Sequence, residues 1–582
     1  MSGAPAGDQA RPAEAAGATA QLAALSEEYF RVVHETDPLT ATQLGVTGFD
    51  DLVPDPSRSG AARGAQRIAA VEQRLAAIEP ALLSGADQTT RAVMAHLAAA
   101  ARSDLEHGLW EANASAGSYN SPQAMAFQSV PTAVLADGAD VAGYLRRLHG
   151  LAGFFDAITA RYRQTAADGR PSAQVGVRQA IDQLTGHLSR DPAGDRLVAV
   201  ALPDALTADQ QQAARRAAAG IVDSEIRPAM RRLLACLTDE LLPAARPDER
   251  VGIKFVAGGP DGYAAAVRRH TTTSLSPEEI HQIGRDCLAA LEQEWAELGG
   301  RVLGTSQVPE VLARLREDAS LRFTDSAQIV AAVTGALNRA EAARDDWFPA
   351  YDIPGCIIEE IDPVESGNSA LAYYRPPGAG GLRPGAHCVL TTSPEQRFAY
   401  EYEALAFHES TPGHHLQGAS AQTLSLPDFR RFLDAEVCGY VEGWGLYCER
   451  LADEMGLYTS DTQRLGMLSF DALRACRLVV DTGMHYYGWS RQAAIDFMWE
   501  NTATTRANII NEVDRYIAWP GQALAYMIGR REIQRLRSRA AAELGPRFDI
   551  RAFHGVVLGD SAVPLGVLDQ LVSRWTEAAA RS

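Results

Sequence analysis

Three histidines and a glutamate fall within the eight residues from 408 to 415, in the stretch HESTPGHHLQ. Imidazole and carboxylate groups are ligands for zinc, and a carboxylate beside them can take a proton from bound water. The stretch opens like H-E-x-x-H, in which two histidines one helical turn apart hold a metal and the intervening glutamate is the general base. Pro412 stands where the second histidine would be, and His414 and His415 follow two and three positions later.

In an unbroken helix this spacing fails. His408 and His414 would lie about 240° apart around the axis and about 9 Å along it, while His408 and His415 would share a face at about 10.5 Å. Ligands that each reach about 2 Å to a shared ion cannot span that gap. Pro412 interrupts helical hydrogen bonding and Gly413 frees the backbone, so the helix is expected to break or bulge here. A bulge of two residues brings His414 to the second ligand position, with His415 the competing choice. A catalytic zinc takes a third protein ligand, and Glu442 in YVEGWGLYCER, 28 residues beyond His414, is the candidate. Its neighbours Tyr440, Val441, Trp444, Leu446 and Tyr447 are apolar or aromatic, which argues for a buried, partnered carboxylate. Glu449 lies two turns further on the same face and is better placed to orient a ligand than to be one. Tyr516 and Arg515 in EVDRYIAWPGQ, and His485 in DTGMHYYGW, are candidate donors to an oxyanion.

The elements that must position these groups read as helices. Apolar residues recur at three- and four-residue spacing from about Thr19 to Glu240, broken by GIKFVAGGPDGY at 252 to 263. The chain is therefore expected to comprise a disordered tail (1–20), a helical N-terminal lobe (21–250) and a helical metal-binding lobe (251–582). Ser276, Pro277 and Glu279 form a capping-box signature, and Ser393 to Gln396 resembles a second, opening the helix that carries His408. Between them YYRPPGAGGLRPGAHCVLTT reads as a surface loop entering a short edge strand. No fixed-period repeat is present.

At 582 residues a large core is available, and a net charge of −19, with Lys254 the only lysine, argues against nucleic-acid binding. Seven scattered cysteines without a C-x-x-C pair fit a reducing compartment, and the first 20 residues lack a signal-peptide pattern. No apolar run is long enough to cross a membrane. A cytoplasmic location is expected.

HESTPGHHLQ, EGWGLYCERLADEMG, RLVVDTGMHYYGWSRQAAIDFM and EVDRYIAWPGQALAYMIGR, in this order, resemble the successive motifs of the DUF885 family, bacterial proteins related to the gluzincin zinc peptidases. HETDPLTATQLGVTGFDD resembles the family's N-terminal segment and FHGVVLGDSAVPLGVLDQLV its end. The resemblance implies a mainly α, gluzincin-like fold with one zinc between the HE-x-x-PGHH segment and the EGW helix. His408, His414 and Glu442 would be the ligands, with His415 the alternative to His414, and Glu409 the general base. Where the family pattern implies an aromatic-asparagine strand after RPG, this chain has AHCVLTT.

The expected activity is hydrolysis of amide bonds in short peptides. Two alternatives share the scaffold: an amide-processing enzyme of small-molecule biosynthesis, and a non-catalytic peptide-binding protein. Other chemistries lack their motifs. A di-iron bundle needs two Glu-x-x-His pairs, and only Glu278 with His281 qualifies; a serine hydrolase would show G-x-S-x-G, which is absent.

Overall fold

The computed structural model describes residues 7–117, 121–361, 370–378, 383–432 and 436–581. Helices dominate, as the periodicity predicts. The first, α1 (Gly7–Thr36), already begins at Gly7, so the part of the expected disordered tail that is described is helical. Its apolar residues Ala18, Leu22, Leu25, Tyr29 and Val32 recur at helical spacing and are buried, and alanine-rich sequence before them favours extending the helix.

The expected boundary near residue 250 separates cores only in part. Apolar residues from 114 to 241, with Leu39, form one core, whereas residues 18 to 112 share a core with residues 253 to 572. A third core draws mostly on residues 251 to 523. The N-terminal helices thus belong to the same packing unit as the C-terminal half.

The capping box at Ser276 and Glu279 forms and opens α2 (Pro277–Leu303). Helix α3 (Ser326–Trp347) follows, capped by Asp325. Three strands come next: β1 (Ile357–Glu360), β2 (Ala372–Arg375) and β3 (Ala386–Val389). The HCVLTT run, expected at an edge, is the middle strand, parallel to β1 and antiparallel to β2. All four residues of β3 are buried, which suits a strand paired on both sides. Ser393 adopts a left-handed backbone and its side chain caps nothing, so the second predicted capping box does not form. Two short 3₁₀ turns lead instead into α4 (Tyr402–Glu409).

Beyond the Pro-Gly break lie α5 (His414–Thr423), α6 (Cys438–Glu454) and α7 (Asp461–Thr482). Then come α8 (Arg506–Ala518) and α9 (Ala525–Leu544). Every residue of α7 from Leu465 to Thr482 is buried, so its charged residues must find partners inside the protein. Among the described residues no helix is long and apolar enough to cross a membrane.

Helix α6, which carries Glu442, lies along α9 at backbone-to-backbone distance. A methyl group on Gly529 would stand 1.7 Å from the carbonyl oxygen of Gly439, and one on Gly443 would stand 2.5 Å from the Cα of Gly529. Both sides of the contact are backbone, so neither can yield without separating the helices. Gly529→Ala is expected to destabilise the fold by at least about 1–3 kcal/mol through overpacking. Urea unfolding midpoints check this; an unchanged midpoint would show that the helices separate without cost.

Candidate metal centre

Helix α4 stops where Pro412 and Gly413 require it to, and α5 starts afresh at His414. The interruption, Ser410 to Gly413, includes a cis Thr411–Pro412 peptide bond. It is a break between two helices, not a bulge within one. The indole of Trp444 donates to the carbonyls of Pro412 and Gly413 at 3.0 and 3.3 Å, and the Cys448 thiol also meets the Pro412 carbonyl. Helix α6 thereby donates to two buried carbonyls of the break while presenting Glu442 to the two imidazoles.

His408, His414 and Glu442 converge, with one ligand atom of each within 4.8 Å of the others. Glu442 Oε2 lies 3.6 Å from His408 Nε2 and 3.4 Å from His414 Nε2. Ligands about 2 Å from a tetrahedral ion stand roughly 3.3 Å apart, so the three groups fit a zinc-sized cation. The outer contacts fit too. His408 Nδ1 is 2.8 Å from Glu449 Oε1 and His414 Nδ1 is 3.3 Å from Gln417 Oε1, arrangements that leave each Nε2 to face the ion. Glu442 and Glu449, with Gly445 between them, fall on one face of α6. A methyl group on Gly445 would stand 2.7 Å from His408 Cε1, 2.8 Å from its Nε2 and 3.0 Å from His414 Cε1. Only a glycine leaves room there.

Charge follows the geometry. Burial disfavours protonation of His408, but the Glu442 and Glu449 carboxylates outweigh it and raise its pKa to about 9. Burial also opposes ionisation of Glu442, yet the two histidines hold it well below the usual carboxylate range. Glu409, 9 % exposed, goes the other way: burial raises its pKa, partly offset by His408, His414 and Arg474. An upward-shifted carboxylate beside the ligand pair is suited to a general base.

The other sequence candidates separate. His415, the alternative second ligand, points away: its Nδ1 is 3.2 Å from the Tyr374 hydroxyl and its Nε2 is 2.9 Å from the Pro354 carbonyl. Consecutive residues at a helix start diverge by about 100°, so only one of the pair can face α6. His485 is no oxyanion donor, because the Ile253 N–H donates to its Nδ1 and its Nε2 bonds the Tyr516 carbonyl. Tyr516 is also engaged: its hydroxyl donates to Glu512 and accepts from Arg477 Nε at 2.8 Å. Arg515, one-third exposed, reaches Glu512 at 3.5 Å and Gln522 at 3.4 Å. Glu278 and His281 join no cluster of metal-ligand type among the described residues.

Sequence reasoning missed Tyr526, whose ring lies nearly parallel to that of His408, with centroids 6.3 Å apart. It also missed Arg474 and Arg477 of α7, which flank Tyr526 with Cζ at 6.0 and 4.2 Å from its ring centre. YMIGR and RLVV offered helical periodicity and no chemical spacing. His387 of β3, by contrast, lies in the singled-out AHCVLTT segment. It is fully buried, with Nδ1 3.0 Å from the Ser410 hydroxyl, so this strand does abut the helix break.

The segment entering α9 is held from α7. Asp481 accepts the Tyr263 hydroxyl at 2.7 Å and the Gly521 N–H at 3.1 Å. Burial raises its pKa to about 7.

The chain as a whole belongs to a family. The model described as "Bacterial protein of unknown function (DUF885)" matches residues 38–572, and the chain is a member of that family. No curated protein matches. Among solved structures, "The crystal structure of the putative lipoprotein from Colwellia psychrerythraea" is 26 % identical with a TM-score of 0.88, covering 96 % of this chain and 99 % of that one. "The structure of a putative lipoprotein of unknown function from Shewanella oneidensis" is similar in fold, at 16 % identity and a TM-score of 0.72, covering 95 % and 99 %.

Two outcomes test this site. Gly445→Ala is expected to weaken zinc binding at least about tenfold by displacing both imidazoles, with the fold retained; competition with a chromophoric chelator measures it, and unaltered affinity would refute the crowding argument. Asp481 supplies a pH test. Its folded pKa lies above its unfolded value, so its contribution to stability is full below about pH 4 and is lost as pH rises toward about 7. Relative to Asp481→Asn, the wild type is expected to lose thermal stability across that window; parallel profiles would show that the native carboxyl does not hold its proton.

Proposed function

We propose that this chain is a metal-dependent hydrolase of peptide or amide bonds. The observation that carries the reading is the His408, His414 and Glu442 triad with the buried Glu409 beside it. A zinc ion held by these three residues would supply Lewis acidity and lower the pKa of water. Hydrolysis adds the oxygen of water to the carbonyl carbon and breaks the C–N bond. Glu409 accepts a proton from that water and delivers it to the leaving nitrogen. Glu449 fixes the ring and tautomer of His408, and Gln417 does the same for His414.

A structural metal site has no use for a buried carboxylate that adjoins a ligand without being one. This weighs against the non-catalytic reading. The amide-processing alternative shares every one of these residues and differs only in substrate.

Elemental analysis of the purified protein is expected to give about one zinc per chain, lost in His408→Ala and in Glu442→Ala. Glu409→Gln is expected to keep the metal and lose at least about a hundredfold in turnover of a peptide or small-amide panel. Wild-type protein that takes up no stoichiometric metal after zinc is supplied would overturn the reading. So would a Glu409→Gln variant with undiminished turnover.

A further inference from the structure

Beside the candidate metal centre lies an array of three arginines, two of them buried, that the hydrolytic chemistry does not use. Arg474 and Arg477 are each 5 % exposed, and Arg515 joins them from α8. All three share a small set of carboxylates. Glu512 serves Arg477 at 2.6 Å, Arg515 at 3.5 Å and the Tyr516 hydroxyl. Glu449 serves Arg474 at 3.4 Å while also holding His408.

Donors are left over. Arg477 Nη1, Arg474 Nε and Nη1, and Arg515 Nε are buried without a hydrogen-bond partner. Glu449 Oε2 is likewise unpartnered, so Arg474 has a counter-charge within reach. Arg477 is different: its Nε and Nη2 already hold Glu512, and its Nη1 has nothing. A buried guanidinium N–H without an acceptor is costly, and the acceptor that suits a planar fork is a carboxylate.

Position turns this from a packing oddity into a subsite. Arg477 stacks on Tyr526 at 4.2 Å, and Tyr526 lies 6.3 Å from the His408 ring. The spare donor is thus no further from the metal ligands than about two or three extended residues at roughly 3.5 Å each. Arg515 is one-third exposed and Glu442 one-fifth exposed, so the array and the triad each have a member that reaches solvent.

We propose that Arg477, supported by Arg474 and Arg515, binds a free carboxylate on the substrate, one or two residues from the bond that is cleaved. The inference rests on the hydrolytic reading and deepens it. The substrate class becomes amides that carry a nearby carboxylate, either the C-terminal end of a short peptide or an N-acyl amino acid. Internal bonds of long chains do not satisfy Arg477.

The test uses a pooled tripeptide library with free C-terminal carboxylates, the same pool as C-terminal amides, and a set of N-acetyl amino acids. Binding to the metal-free protein is read by affinity selection with mass spectrometry, and cleavage by the zinc-loaded protein is read separately. The free acids are expected to be retained and cleaved at least tenfold better than the amides. Arg477→Lys, which keeps a charge for Glu512 but loses the planar fork, is expected to abolish that preference. The wild-type comparison decides the matter even if this variant does not fold. Free acids retained but uncleaved would uphold the carboxylate subsite and sink the hydrolase reading. Acids and amides cleaved alike would do the reverse, and no preferential retention of acids of either kind would overturn the subsite. Preference for N-acetyl amino acids over tripeptides would assign the carboxylate to small amides.

Discussion

The convergence of His408, His414 and Glu442 depends on a helix that stops in the right place. Continued as a helix, residues 408 to 415 would carry their imidazoles to opposite sides of a cylinder or two turns apart. Breaking the helix across Ser410 to Gly413 leaves backbone carbonyls, that of Pro412 among them, outside the regular helical pattern in the protein interior, a costly arrangement unless something donates to them. Trp444 and Cys448, one turn apart on α6, both reach the Pro412 carbonyl. The residue pair that donates to the interruption therefore belongs to the helix that supplies Glu442, the third member of the triad.

Helix α6 serves several purposes at once because its faces differ. One face carries Glu442, Gly445 and Glu449: a candidate ligand, a space for two imidazoles, and a carboxylate that orients one of them. Another carries Gly439 and Gly443, which let it approach α9 closely enough that its backbone touches Gly529. That approach places Tyr526, three residues before Gly529 on α9, against His408. Small residues and candidate metal-site residues are interleaved on one helix, so displacing either α6 or α9 disturbs the geometry of the triad directly.

Much of the site was legible because its chemistry is local. His408, Glu409, His414 and Glu442 were readable from residue type and from the Pro-Gly interruption, and Glu449 from its spacing on the same helix. Family membership was readable from the order of four long motifs. What was not legible depends on tertiary contact. Nothing in the sequence distinguishes His414 from His415 until α5 is oriented against α6. Tyr516 and His485 looked like donors, but their polar atoms are consumed by Arg477, Glu512 and backbone groups from distant segments. The capping signature at Ser393 failed because a left-handed turn leads into the helix instead, and the early start of α1 followed from alanine-rich sequence that composition alone assigned to a tail. The central position of β3 needed both of its neighbours to be placed.

The electrostatics of the interior then fall into two linked halves. Around the triad, carboxylates surround imidazoles, an environment in which a divalent cation would supply the missing positive charge. Around Tyr526, guanidinium groups outnumber the carboxylates that they share, an environment that lacks negative charge. Glu449 joins the halves, since it holds His408 and meets Arg474. Helix α7 is buried from Leu465 to its end and still carries Arg474 and Arg477, and a purely structural role would have been served by apolar side chains at less desolvation cost. A bound carboxylate would balance the second half as the cation balances the first, and the amide bond between them would lie where Glu409 can deliver a proton.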